Sequence, residues 1–219
     1  MPNESLVLPT HLEQQFDDVE QQREASTMGM WLFLATEVLF FGAMFLGYTA
    51  YRYAYPQAFA EASRHTLIAF GGTNTAVLLI SSTVMAFAVR AASQNKRGLL
   101  GLLLFVTASL GTLFLVIKGF EYAHEIREGL FPGSHFHIDA ADPTQAELFY
   151  YLYWLMTGVH ALHVTIGVVI IGLFALRAWL TNAFENHDTP VELLGLYWHF
   201  VDIVWVFLFP LIYMIDRHS

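Results

Sequence analysis

Apolar residues run along this chain in five long blocks separated by short polar stretches. The blocks lie at Met28 to Tyr51, Leu67 to Val89, Leu99 to Phe120, Leu148 to Leu176 and Leu194 to Ile215. A hydrocarbon layer about 30 Å thick needs roughly 20 helical residues at a rise of about 1.5 Å each, so all five are long enough to cross it. Backbone polar groups in lipid must be satisfied within the segment, which at these lengths means helices and not barrel strands. Tyrosine and tryptophan gather at the block ends, in YTAYRYAY (Tyr48 to Tyr55) and FYYLYW (Phe149 to Trp154), as rings do at headgroup level. Residues 1–27 are polar and acidic, with no basic, apolar and small-residue succession, so no signal peptide is expected. Within them Thr10-His11-Leu12-Glu13 has the spacing of a capping box, and Leu12, Phe16 and Val19 recur at helical intervals. The pattern predicts an all-α polytopic membrane protein, a bundle of five transmembrane helices over 28–219. A short amphipathic segment over 1–27 precedes it, docking on membrane or partner.

Composition sharpens this. Of 219 residues 56% are apolar and only 13% charged, too few to clothe a soluble domain, so the net charge of -9 describes loops. With no cysteine there are no disulfides, thiolates or iron–sulfur clusters. Five spans put the termini on opposite sides. Arg23, Arg90, Lys96, Arg97 and Arg177 fall on the N-terminal side, and Arg52, Arg64, Arg127 and Arg217 on the other, with Lys118 at a helix end. The tight cluster of Arg90, Lys96 and Arg97 favours a cytoplasmic N-terminus.

Ionisable groups inside spans are costly and are the first functional candidates. Glu37 in WLFLATEVLFFGAMFLG lies about 4 Å from the middle of its helix, where an acid costs roughly 3 kcal/mol. Burial favours its uncharged form unless a partner is near. It is either packing glue between helices or a group that exchanges protons or meets a lipid headgroup or partner subunit. Asn74, in the small-residue run GGTNT, suits a cross-helix hydrogen bond. In KGFEYAHE, Lys118 and Glu121 are three apart, and Glu121, His124 and Glu125 share a face, which suits an interfacial salt-bridge network or, less commonly, a divalent cation. His160 and His163 in TGVHALHVTIG share a face of the fourth span, and His199 has Asp202 three residues on. Cross-helix hydrogen bonding is the commoner use of such histidines, and haem or metal ligation the alternative. Trp198, Asp202 and Trp205 line one face of the fifth span, and Pro210 is placed to bend it.

Taken in order, the stretch from Arg23 through GMWLFLATEVLFF, TNTAVLL, KGFEYAHE, TGVHALHVTIG and YWHFVDIVWVFLF resembles subunit III of haem-copper cytochrome c oxidases. The resemblance runs from about Arg23 to the last helix. It implies a non-catalytic accessory subunit of a proton-translocating, oxygen-reducing complex of aerobic respiration. Such a chain has no catalytic residues, metal or cofactor of its own, because haem and copper belong to partner subunits. Subunit I is the main contact, with other oxidase subunits and membrane lipids, and no nucleic acid. Glu37 matches the family's membrane-embedded glutamate, associated with carbodiimide reactivity and proton supply. Asn74, Lys118, Glu121, His124, Glu125, His160, His163, Trp198, His199 and Asp202 fall to polar packing or to lipid and subunit contacts. Longer family members have seven helices, two of which form a lipid-holding cleft with the rest. This chain has the short bacterial plan, in which an extended catalytic subunit is expected to supply the missing pair, and phospholipid is a candidate ligand. The implied location is the bacterial plasma membrane. Rival readings are subunit III of a ubiquinol oxidase or nitric oxide reductase complex, a stand-alone di-histidine membrane cytochrome, and a proton carrier using Glu37.

Overall fold

The structure is a computed structural model that describes residues 15–134, 136–138, 140–181 and 189–215. Six helices follow in order: α1 (Val19–Ala54), α2 (Pro56–Arg64), α3 (Ile68–Ser93), α4 (Arg97–Arg127), α5 (Pro143–Leu180) and α6 (Thr189–Tyr213). All but α2 are long and apolar enough to cross a membrane. The spans expected from hydropathy overlap these helices: α1, α4 and α5 extend beyond their apolar blocks at both ends, whereas α3 begins one residue after Leu67 and α6 ends at Tyr213, two residues before Ile215, because backbone hydrogen bonding does not follow the edge of an apolar block. Hydropathy did not anticipate α2, a nine-residue helix opened by Pro56 and buried along Ala58, Phe59, Ala60, Ala62 and Ser63. The box at Thr10 to Glu13 lies outside the described residues.

The chain divides into two units, residues 1–39 and 40–219. In the first, α1 starts on a reciprocal cap. The Gln21 backbone N–H donates to Asp18 Oδ1 at 2.7 Å, satisfying one donor of the first turn, and Gln21 Oε1 accepts from the Asp17 N–H just before the helix at 2.7 Å. Met28, Trp31, Leu32, Val38 and Leu39 are exposed there, as suits a helix solvated by lipid.

In the second unit α3, α4, α5 and α6 form a ring, each packed on the next and α6 closing on α3, while α2 lies against α5 and α6. Between helices in lipid there is no apolar driving force, so close approach through small residues decides where backbones meet. Gly111 of α4 and Gly167 of α5 make room for the Trp198 indole of α6. A Cβ on Gly111 would come within 2.7 Å of Trp198 and 2.6 Å of Val168, and one on Gly167 within 2.7 Å of Trp198. Helix ends are closed in two ways. After α3 and α4 the chain turns through the left-handed region at Asn95 (φ 55°) and Gly129 (φ 75°), sending the Lys96 and Leu130 N–H groups back to Ala91 and Glu125 carbonyls. At the end of α6, the Leu211 and Ile212 carbonyls accept from the Tyr48 hydroxyl and Ser63 Oγ, each at 2.9 Å.

Candidate functional site

The densest polar assembly lies where α4 ends against the start of α5 and the end of α6. Lys118 is 2% exposed, and its Nζ donates to Glu121 Oε2 at 3.1 Å, the Tyr153 hydroxyl at 2.8 Å and the Tyr213 hydroxyl at 2.7 Å. Both tyrosines donate onward to Glu121 Oε1, at 3.2 and 2.5 Å. Aromatic faces surround the ammonium, with ring centres of Tyr153 at 4.7 Å, Tyr122 at 4.9 Å, Tyr213 at 5.4 Å and Trp205 at 5.6 Å. Lys118 and Glu121 are on one face of α4 because they are three residues apart, and α5 and α6 supply the tyrosines. Desolvating two opposite charges is repaid only when geometry is good and every remaining donor is used, and here both conditions hold. Cation–π attraction in a site this buried adds to it.

Glu125 extends this face and is 1% exposed. His124 does not join it. It turns outward with Glu128 and, with His65 and His137, lines a separate cavity of about 480 Å³ that includes Leu130 and Ile138. The helical step explains the split: around the helix from Glu121, Lys118 and Glu125 are displaced in the same sense, by about 60° and 40°, whereas His124 is displaced by about 60° in the opposite one. Among the described residues no three histidine, aspartate or glutamate side chains are arranged to hold a metal ion.

A second seam joins α3 to α6. The Trp198 indole N–H donates to Ser81 Oγ at 3.0 Å, and the Trp205 N–H to Thr75 Oγ1 at 3.0 Å. Ser82 Oγ meets His199 Nδ1 at 2.7 Å. Asp202, buried on the same face of α6, lies beside Ser82. Asn74 is fully buried, and neither amide atom makes a hydrogen bond. The cross-helix bonds are made instead by its hydroxylic neighbours, whose shorter side chains fit between backbones this close. His199 engages Ser82 across helices, and the local alternative through Asp202 is not taken up.

His160 and His163 part company. His160 is fully buried, stacked on Trp205 at 5.1 Å and edged by Phe114 at 5.6 Å, with no hydrogen bond to either ring nitrogen. His163 is half-buried, its Nδ1 donating to the Val159 carbonyl at 2.9 Å in the tautomer that carries hydrogen there, its ring 5.3 Å from Phe41. Glu37 stands near the midpoint of α1 and is half-buried.

Tyr153, Tyr213, Ser81 and Ser82 complete these assemblies, and only position along the helix could have singled them out. Tyr153 belongs to a motif that reads as an interfacial belt, yet Tyr150 and Tyr153 are fully buried while Tyr151 between them is 53% exposed. A belt reading needs a ring's azimuth, which composition at a segment end does not carry.

A family model described as cytochrome c oxidase subunit III matches residues 17–217. The chain belongs to the cytochrome c oxidase subunit III family. Subunit III chains similar to it include the cytochrome c oxidase subunit 3 of Synechocystis sp., 31% identical over 85% of this chain and 74% of that one. The probable quinol oxidase subunit 3 of Staphylococcus epidermidis is 28% identical over 91% of this chain and 93% of its own. That of Staphylococcus aureus is 26% identical over the same shares. The protein is thus a subunit III of the haem-copper oxidases, a multi-pass membrane component of a multi-subunit respiratory oxidase.

Proposed function

We propose that this subunit III is the non-catalytic accessory chain of a proton-translocating, oxygen-reducing cytochrome c oxidase in a bacterial plasma membrane. Its N-terminus is cytoplasmic, its main contact is subunit I, and haem and copper reside in partner chains. Glu37 is its proton-supply and carbodiimide-reactive group, phospholipid is a candidate ligand, and an extended subunit I supplies the two helices of the longer family plan.

The observation that carries this reading is where the ionisable side chains are spent. Lys118 and Glu121 consume each other's hydrogen-bonding capacity together with Tyr153 and Tyr213. His199 bonds to Ser82, and His160 is packed between two rings. Such groups hold a scaffold together and leave chemistry to a neighbour. A quinol oxidase is the second reading, favoured because the staphylococcal relatives are covered over 93% of their length, against 74% for the Synechocystis protein.

The test is to purify the complex through a tag on this chain and follow oxygen consumption with reduced cytochrome c and with a quinol. The expected result is co-elution of a haem-copper subunit I and turnover with cytochrome c. Turnover with quinol alone overturns the cytochrome c assignment. A tagged chain that elutes alone with a Soret band overturns the accessory role.

A further inference from the structure

The Lys118 cluster permits a count of hydrogens. An ammonium has three N–H groups and nothing to accept with. Lys118 has three acceptors, Glu121 Oε2, the Tyr153 hydroxyl and the Tyr213 hydroxyl. Each tyrosine, having accepted from the lysine, directs its single hydrogen to Glu121 Oε1. Glu121 therefore accepts three hydrogen bonds and donates none, which is the pattern of an ionised carboxylate. One cation, one anion and two phenols make a closed, charge-neutral circuit.

Glu125 follows one helical turn later, sealed to 1% exposure, and neither of its oxygens makes a hydrogen bond. The titratable groups that face it are Lys118, Glu121 and Tyr122 of its own helix, Tyr150 and Tyr153 of α5, and Tyr213 of α6. Lys118 is the single cation among them, and its three hydrogens are taken. Tyr153 and Tyr213 have given theirs to Glu121, and Tyr122 shares its hydroxyl with Thr157 at 2.7 Å. An ionised Glu125 would be a second anion one turn from Glu121, sealed from water and without a donor.

We propose that Glu125 is a proton-binding site, a carboxylic acid that holds its proton beside the closed Lys118–Glu121–Tyr153–Tyr213 circuit. Two carboxyl groups a turn apart thus have different charges, and the bundle stores one proton at the joint of α4, α5 and α6.

Glutamine copies the shape of a protonated glutamate, and this gives the test. In the purified oxidase complex, infrared difference spectra of wild type against Glu125→Gln should show loss of a protonated-carboxyl C=O band, with carboxylate bands unchanged. Glu121→Gln should instead lose carboxylate intensity. Glu125→Gln should assemble at wild-type yield and melt within about 2 °C of wild type, whereas Glu121→Gln, which strands the ammonium, should lower the midpoint by roughly 10 °C or prevent assembly. Loss of carboxylate bands in Glu125→Gln, or equal destabilisation by the two variants, overturns the proposal.

Discussion

At the scale of single residues, what a side chain costs depends on whether its polar atoms are used. Glu37 sits mid-helix among Phe33, Leu34, Phe40 and Phe41, and its role in the proposed function gives two expectations. Glu37→Gln keeps the shape and hydrogen-bonding capacity, so the complex should assemble, while labelling of this chain by a hydrophobic carbodiimide should vanish. Persistent labelling, read by mass spectrometry, would place the reactive acid elsewhere. Glu37→Lys puts a cation at a depth where insertion costs about 3 kcal/mol, and blotted membranes should show reduced assembled complex. Trp198 makes a packing prediction: it is fully buried between Gly111 and Gly167, so Trp198→Ala should cost about 3–5 kcal/mol, seen as a lower thermal midpoint.

At the scale of elements, the buried ion pair and the packing around Trp198 respond differently to substitution. The α4–α5–α6 joint rests on a buried ion pair, whose loss is severe when one partner remains. Lys118→Met should therefore destabilise by about 3–5 kcal/mol, and adding Glu121→Gln should restore part of the loss, since a stranded charge costs more than a missing pair. A melt in which the double variant falls below Lys118→Met would contradict this. The α4–α5–α6 contact through Trp198 rests on backbone closeness. Gly167→Ala places a Cβ 2.7 Å from the indole and should cost about 1–3 kcal/mol, whereas Gly172→Ala, with nothing within 4 Å, should be neutral. The element pattern was largely legible beforehand. Every crossing helix was visible because about 20 apolar residues in a row have one physical use. The helix α2 was not, because nine residues with a buried alanine stripe owe their order to α5 and α6.

At the scale of the whole molecule, the prediction concerns what the chain cannot do unaided. Expressed without its partners, it should be colourless and inert toward oxygen, and its spectrum and an oxygen electrode suffice to check this. Of the candidate positions, Lys118 with Glu121, the pair of carboxylates and the Trp198 face could be placed on helical faces by counting residues. The parting of His124 from Glu125, of His160 from His163, and the choice of serines over Asn74 as bonding partners could not. Each of those depends on which neighbour stands opposite.

Sequence alone determined that this protein crosses a membrane on five helices and that its few internal charges must be sheltered. Both follow from transfer energies that act residue by residue along the chain. Tertiary structure alone decided which acid meets the lysine, which tyrosines abandon the membrane surface for the interior, and which glycines receive an indole. These choices depend on the rotation and spacing of helices far apart in sequence, and hydropathy contains neither quantity.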